Sequence, residues 1–164
     1  TYRIFSEEEI KIHIEEYWNK FIKINPEYKN VKYETWSFGY GDYQANKLIG
    51  YVKQGIKTGT SSAYDLYEET EKKPEGNDIS IITFGNGLPG CIIKTIEIRN
   101  KKFNEINEDE AKAEGEGTLT LDYWREVHEH FFKKEYAEMG REFSYDIPVI
   151  YEKFELLFND DINH

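Results

Sequence analysis

The stretch that most constrains this chain is an isoleucine-rich run, Asp78–Phe84, followed by Gly85-Asn86-Gly87 and a returning run, Cys91–Arg99. Two β-prone runs joined by a short glycine turn read as an antiparallel hairpin. Parallel neighbours need a crossover of a dozen or more residues. The hairpin therefore argues against a doubly wound parallel sheet. The remaining elements fall around it at irregular spacing. Ser6 and Glu9 form a capping box ahead of a helix, with Phe5 placed to staple onto Ile10. That helix carries Ile10, Ile14, Tyr17, Trp18 and Phe21 on one face and stops at Asn25-Pro26. Tyr33–Phe38 reads as a short strand. Gly39-Tyr40-Gly41-Asp42 is a turn with Asp42 placed to cap a second helix, apolar at Ala45, Leu48, Ile49 and Val52.

Beyond that helix, Ser61–Leu66 reads as a strand and Glu68–Asn77 as a loop. Asn104–Gly117 is acidic, with a helical turn at Glu108–Ala113. Thr120 caps a helix lined by Trp124, Val127, His128 and Phe131. Asp146–Phe158 is the last strand, with Pro148 at a strand start or edge. The expectation is an α+β fold with a mostly antiparallel, barrel-like sheet. Residues 159–164 are expected to form a frayed tail.

Composition narrows the function. The net charge is −11, against a wide non-specific nucleic-acid surface, which needs many Lys and Arg to release counterions. One cysteine, Cys91, cannot make an internal disulfide. No stretch nears the roughly 18 apolar residues of a membrane span. No signal-peptide pattern opens the sequence. A cytoplasmic location without membrane partners is expected. Nothing speaks to oligomeric state.

The densest chemistry lies in Gly55-Ile56-Lys57-Thr58-Gly59-Thr60-Ser61-Ser62. Gly55 suits the left-handed position past a helix. Gly59 permits close backbone approach to a ligand. Lys57 is a charge donor for an oxyanion or, desolvated, a base. Thr60 is a nucleophile if a partner takes its proton. Thr58, Ser61 and Ser62 add hydroxyls. Glu114 and Glu116 flank Gly115 before the aromatic helix, where Trp124 with Tyr123 offers either a stacking face or core packing. No metal centre is expected. The histidines are His13, His128, His130 and His164, and His128 and His130 point about 200° apart on a helix. No HExxH or paired-cysteine spacing appears, the Walker order is missing, and no cofactor is implied.

Gly41-Asp42, Gly55–Thr60, Glu114-Gly115-Glu116-Gly117, Tyr123–His128, Asp146–Val149 and Glu152-x-Phe154, in that order, resemble the bacterial ASCH-domain family. The likeness spans residues 36–158, and residues 1–35 resemble the helical extension of its longer members. It implies a PUA-like barrel with flanking helices and a cleft suited to a nucleoside-like ligand or RNA. Small members are amidohydrolases acting on N4-acetylcytidine. By motif, their triad falls on Lys57, Thr60 and Glu116. Thr60 would attack the acetyl carbonyl, Lys57 would activate it or hold the oxyanion, and Glu116 would handle protons. Gly55, Thr58, Ser61, Ser62, Glu114, Trp124, Arg125 and His128 would line the substrate site. Those enzymes carry Gln where this chain has Gly115, and a basic residue where Ser61-Ser62 follow the threonine. A longer member is described as a ribonuclease. A binding module without catalysis is the further alternative. On this reading Lys57→Ala abolishes turnover and leaves the fold intact.

Overall fold

The computed structural model describes residues 4–39 and 41–159. Tyr40 of the expected turn and residues 160–164 of the expected tail lie outside the described residues. Helices are α1 (Glu7–Ile24), α2 (Gly41–Lys53), α3 (Glu108–Ala113) and α4 (Leu121–Glu138). Strands are β1 (Tyr33–Trp36), β2 (Gly59–Ala63), β3 (Ile79–Thr83), β4 (Pro89–Lys102) and β5 (Pro148–Phe158). They form one sheet in the order β1-β3-β4-β5-β2. The α+β class and the mainly antiparallel pairing agree with the sequence. The strand order is open, with β1 and β2 at its ends.

The expected hairpin is β3 and β4, paired from Ile79↔Lys94 to Ile82↔Cys91, with a register shift between Ile82 and Thr83 beside the turn. β1 adds in parallel to β3, Tyr33 opposite Ile79. β2 pairs antiparallel with β5 from Gly59↔Lys153 to Ala63↔Val149. β2 ends earlier than the sequence suggested and passes into a 3₁₀ turn, Tyr64–Leu66. The next rung would meet Pro148, which has no N–H to donate.

Chain contacts gather into two units. The first takes residues 1–54, 78–94 and 155–164. Here Ser6 accepts from the Glu9 N–H at 3.1 Å and Glu9 answers on the Ser6 N–H, completing the capping box. Phe5 packs edge-on against His13, with ring centroids 5.7 Å apart. Tyr17, Trp18 and Phe21 pack with Ile79, Ile81 and Ile92. Burial of each such side chain contributes about 1.5–3 kcal/mol. On α2, the buried residues are the four expected, Ala45, Leu48, Ile49 and Val52. Asp42 lies within its first turn rather than before it.

The second unit takes residues 55–77 and 95–154. Its core joins Ala63, Phe103, Trp124, Phe132, Tyr136, Val149 and Tyr151. The buried face of α4 is Trp124, His128, Phe132 and Tyr136, an i, i+4 row. Val127 and Phe131, expected on that face, are half-buried at its flank. This unit contains all the residues singled out for chemistry.

Candidate functional site

The site begins where α2 stops. Gly55 has φ +77°, the left-handed conformation expected of it. The chain then turns and buries Lys57, which is 1% exposed. Its ammonium donates to the Gly59 carbonyl at 2.8 Å and the Glu114 carbonyl at 3.2 Å, and lies 3.7 Å from Glu114 Oε1. Thr58 holds this loop through its backbone. Its N–H donates to the Ala113 carbonyl at 2.7 Å, and its carbonyl accepts from the Phe154 N–H at 3.0 Å. Gly59 is close to a neighbour, but the neighbour is Tyr151, whose ring hydroxyl fills the space a Cβ would need.

Glu114 is delivered by α3. Asn107 and Glu110 make a capping box at its start, and Glu114 is its C-cap. Gly115 follows at φ +78° and lies against the backbone of Lys57. A Cβ there would come within 3.0 Å of Lys57 Cα and of the Ile56 carbonyl oxygen. This explains why glycine, not glutamine, separates the two glutamates here. Glu114 is 2% exposed, not solvated. Its Oε2 accepts from the Trp124 indole N–H at 2.7 Å and from the Ser61 hydroxyl. Its Oε1 faces His128 Nε2 at 3.3 Å.

His128 and Trp124 are one turn apart on α4 and stack, with ring centroids 4.2 Å apart and planes 12° off parallel. The indole also packs against Phe103, with centroids 5.2 Å apart. Trp124 is therefore packed inside the domain. His128 Nδ1 lies 2.9 Å from the Trp124 carbonyl. A carbonyl only accepts, so Nδ1 carries a proton and Nε2 is left facing the Glu114 carboxylate. Glu116, half-buried, brings a carboxylate oxygen to within 4.8 Å of ligand atoms of both Glu114 and His128.

Burial alone would raise the Glu114 pKa. The His128 charge and hydrogen bond, with Lys57 and Ser61, overcome it and hold the carboxyl down at about 2. Burial alone would lower that of His128. The Glu114 charge and hydrogen bond, with Glu116 behind, overcome it and raise the imidazole above its ordinary value. The linkage has opposite signs at the two groups. The Glu114 contribution is present above its ordinary 4.5 and is lost as pH falls toward about 2. The His128 contribution is complete below 6.5 and is lost as pH rises through the raised value. The pair therefore stabilises most between about pH 4.5 and 6.5. Urea midpoints measured from pH 3 to 9 are expected to fall on both sides of that window, with the alkaline fall absent in His128→Gln.

Among the expected triad, Lys57 and Glu116 meet the same Glu114–His128 cluster. Thr60 does not. In the β2–β5 ladder Ser61 stands opposite Tyr151, and Thr60 stands opposite Glu152. Alternation along a strand sends neighbours to opposite faces. Ser61 shares the face of core Ala63 and reaches Glu114, whereas Thr60 and Ser62 share the face of Glu152. There, buried Glu152 accepts from the Thr95 hydroxyl at 2.6 Å, and Tyr67 donates to Ser62 at 2.9 Å. Arg125 turns toward the Asn104 carbonyl at 3.5 Å.

Sequence reasoning overlooked Glu110, buried between Arg99 at 3.0 Å and Lys101 at 2.8 Å. Its capping-box spacing from Asn107 was the available signal. Tyr151, which donates to the Glu110 carbonyl at 3.2 Å, carried no such signal. Chemically, the cluster is a buried core of Lys57, Glu114 and His128 whose half-buried members are Ser61 and Glu116. It can orient a polar ligand and pass a proton.

Residues 34–158 match the family model described as the ASCH domain. Among solved structures, the chain is similar to an ASCH domain from Lactobacillus crispatus JV V101. The identity is 28% over 97% of this chain and 100% of that one, with a TM-score of 0.81. It is also similar to a protein from Enterococcus faecalis V583, at 33% identity over 90% of this chain and 89% of that one, with a TM-score of 0.82. No curated protein matches.

Proposed function

The chain belongs to the ASCH-domain family, and on that premise we propose that the Glu114–Glu116–His128 cluster hydrolyses a small amide of the N4-acetylcytidine kind. The observation that carries the reading is the half-buried Glu116 carboxylate held beside a buried imidazole and a buried, fully engaged Glu114. Glu116 takes a proton from the water that attacks the acyl carbon. The C–N bond then breaks, and Glu116 returns the proton to the leaving amine. Glu114, held ionised at a pKa of about 2, is too weak a base for that task. Its part is to orient Ser61 and His128. Lys57 positions Glu114 from behind. The net charge of −11 favours a small ligand over a long RNA.

The hydroxyl that meets the ligand is assigned to Ser61 rather than Thr60, because Ser61 shares a face with the cluster. Ser61→Ala is expected to lower kcat/KM for N4-acetylcytidine about tenfold or more, the scale of one lost hydrogen bond to a charged partner. Thr60→Val is expected to change it less than about threefold. Chromatographic assay of both variants checks this. The reverse order would move the site to the Glu152 face.

A second reading, ligand binding without turnover, is favoured by the engagement of Lys57 and Glu114 with protein groups. Tight binding of intact N4-acetylcytidine with no product would support it. Binding of RNA that weakens steeply with salt would point to a nucleic-acid ligand instead.

A further inference from the structure

Glu114, Glu116 and His128 present one donor atom each, all within 4.8 Å of one another. Two are carboxylates and one is an imidazole. The imidazole is committed: its Nδ1 proton is held by the Trp124 carbonyl at 2.9 Å, and its ring is fixed by the stack on Trp124. That leaves Nε2 directed at Glu114 Oε1, 3.3 Å away. An unprotonated Nε2 would point its lone pair at the Glu114 carboxylate, so this position suits a cation. A proton on Nε2 is one solution. The other is a metal ion. A histidine whose far nitrogen donates to a backbone carbonyl is the arrangement that orients metal-bound imidazoles.

The spacing agrees. Glu114 Oε1 and His128 Nε2 are 3.3 Å apart. Two ligands at about 2.0–2.1 Å from a tetrahedral ion stand about 3.3 Å from each other. The donor set also selects the ion. One nitrogen with two oxygens suits Zn²⁺ and its borderline neighbours better than Ca²⁺ or Mg²⁺, which take oxygen ligands. Three protein donors leave a coordination position for water, and Glu116 is the half-buried ligand of the three. Lys57 offsets one of the two carboxylate charges, at 3.7 Å from Glu114 Oε1. The remaining anionic charge still favours a dication.

We propose that Glu114, Glu116 and His128 form a binding site for one divalent transition-metal ion of the Zn²⁺ class. A Glu116 carboxylate bound to the ion no longer takes a proton from water, so the metal-bound state and the hydrolytic state are alternatives, and occupancy is measured without substrate.

The full chain, freed of metal by chelator, is titrated at pH 7.5 with Co²⁺ alone, and visible absorption is followed. The expected result is saturation at one equivalent with the bands of a four- or five-coordinate ion, displaced by Zn²⁺. Glu116→Gln is expected to weaken binding at least about tenfold while leaving the circular dichroism spectrum unchanged, as expected for a lost ligand. Glu126→Gln, at an exposed acid on α4, is expected to bind as the parent does. No saturable binding by the parent overturns the proposal. So does Glu116→Gln binding as tightly as the parent, or Glu126→Gln losing as much as Glu116→Gln.

Discussion

Lys57→Met is expected to destabilise the fold by about 3–5 kcal/mol, the scale for removing one partner from a buried ion pair. The sequence suggested an active-site lysine that could be removed without harm to the fold. Its surroundings say otherwise. It is 1% exposed and ties the Gly59 carbonyl, the Glu114 carbonyl and the Glu114 carboxylate together. Without it, Glu114 keeps its charge only through His128, Trp124 and Ser61. Urea unfolding followed by far-UV circular dichroism checks this. A loss under about 1 kcal/mol would mean that water replaces the ammonium and that Lys57 is not a structural cation. Loss of turnover in a Lys57 variant therefore reports on folding before it reports on chemistry.

Glu116→Gln is expected to lower kcat for a small amide substrate by about 10²- to 10⁴-fold, the usual contribution of a positioned proton-transfer group. KM is expected to change little, since glutamine keeps the shape and one acceptor. The unfolding midpoint is also expected to hold, because Glu116 is half-buried and lies in the loop after α3. Falls in kcat and stability together would make Glu116 a structural residue.

Much of this was legible in the sequence because it is local. The α1 capping box, the α2 apolar row, the α3 turn and the β3–β4 hairpin each depend on residues within a few positions of one another. What was not legible depends on distant partners. The length of β2 is limited by Pro148, which its own residues do not reveal. The choice between Thr60 and Ser61 is a choice of face, and a one-residue change of register reverses it. The burial of Glu114 is set by Ser61, 53 positions away, and by Lys57, 57 away. A glutamate in the acidic run Asn104–Gly117 looks solvated until those partners are known. For the same reason no HExxH spacing marks Glu114, Glu116 and His128, which converge from a loop and a helix.

The central claim is that Glu116, set beside Glu114 and His128, moves a proton for amide hydrolysis. The most direct test is to incubate the parent chain and Glu116→Gln with N4-acetylcytidine and follow cytidine and acetate by chromatography, with circular dichroism confirming that both are folded. Steady release of cytidine by the parent is expected, with at least about a hundredfold less by Glu116→Gln. Equal release by the two folded proteins, or none by the parent, would contradict it.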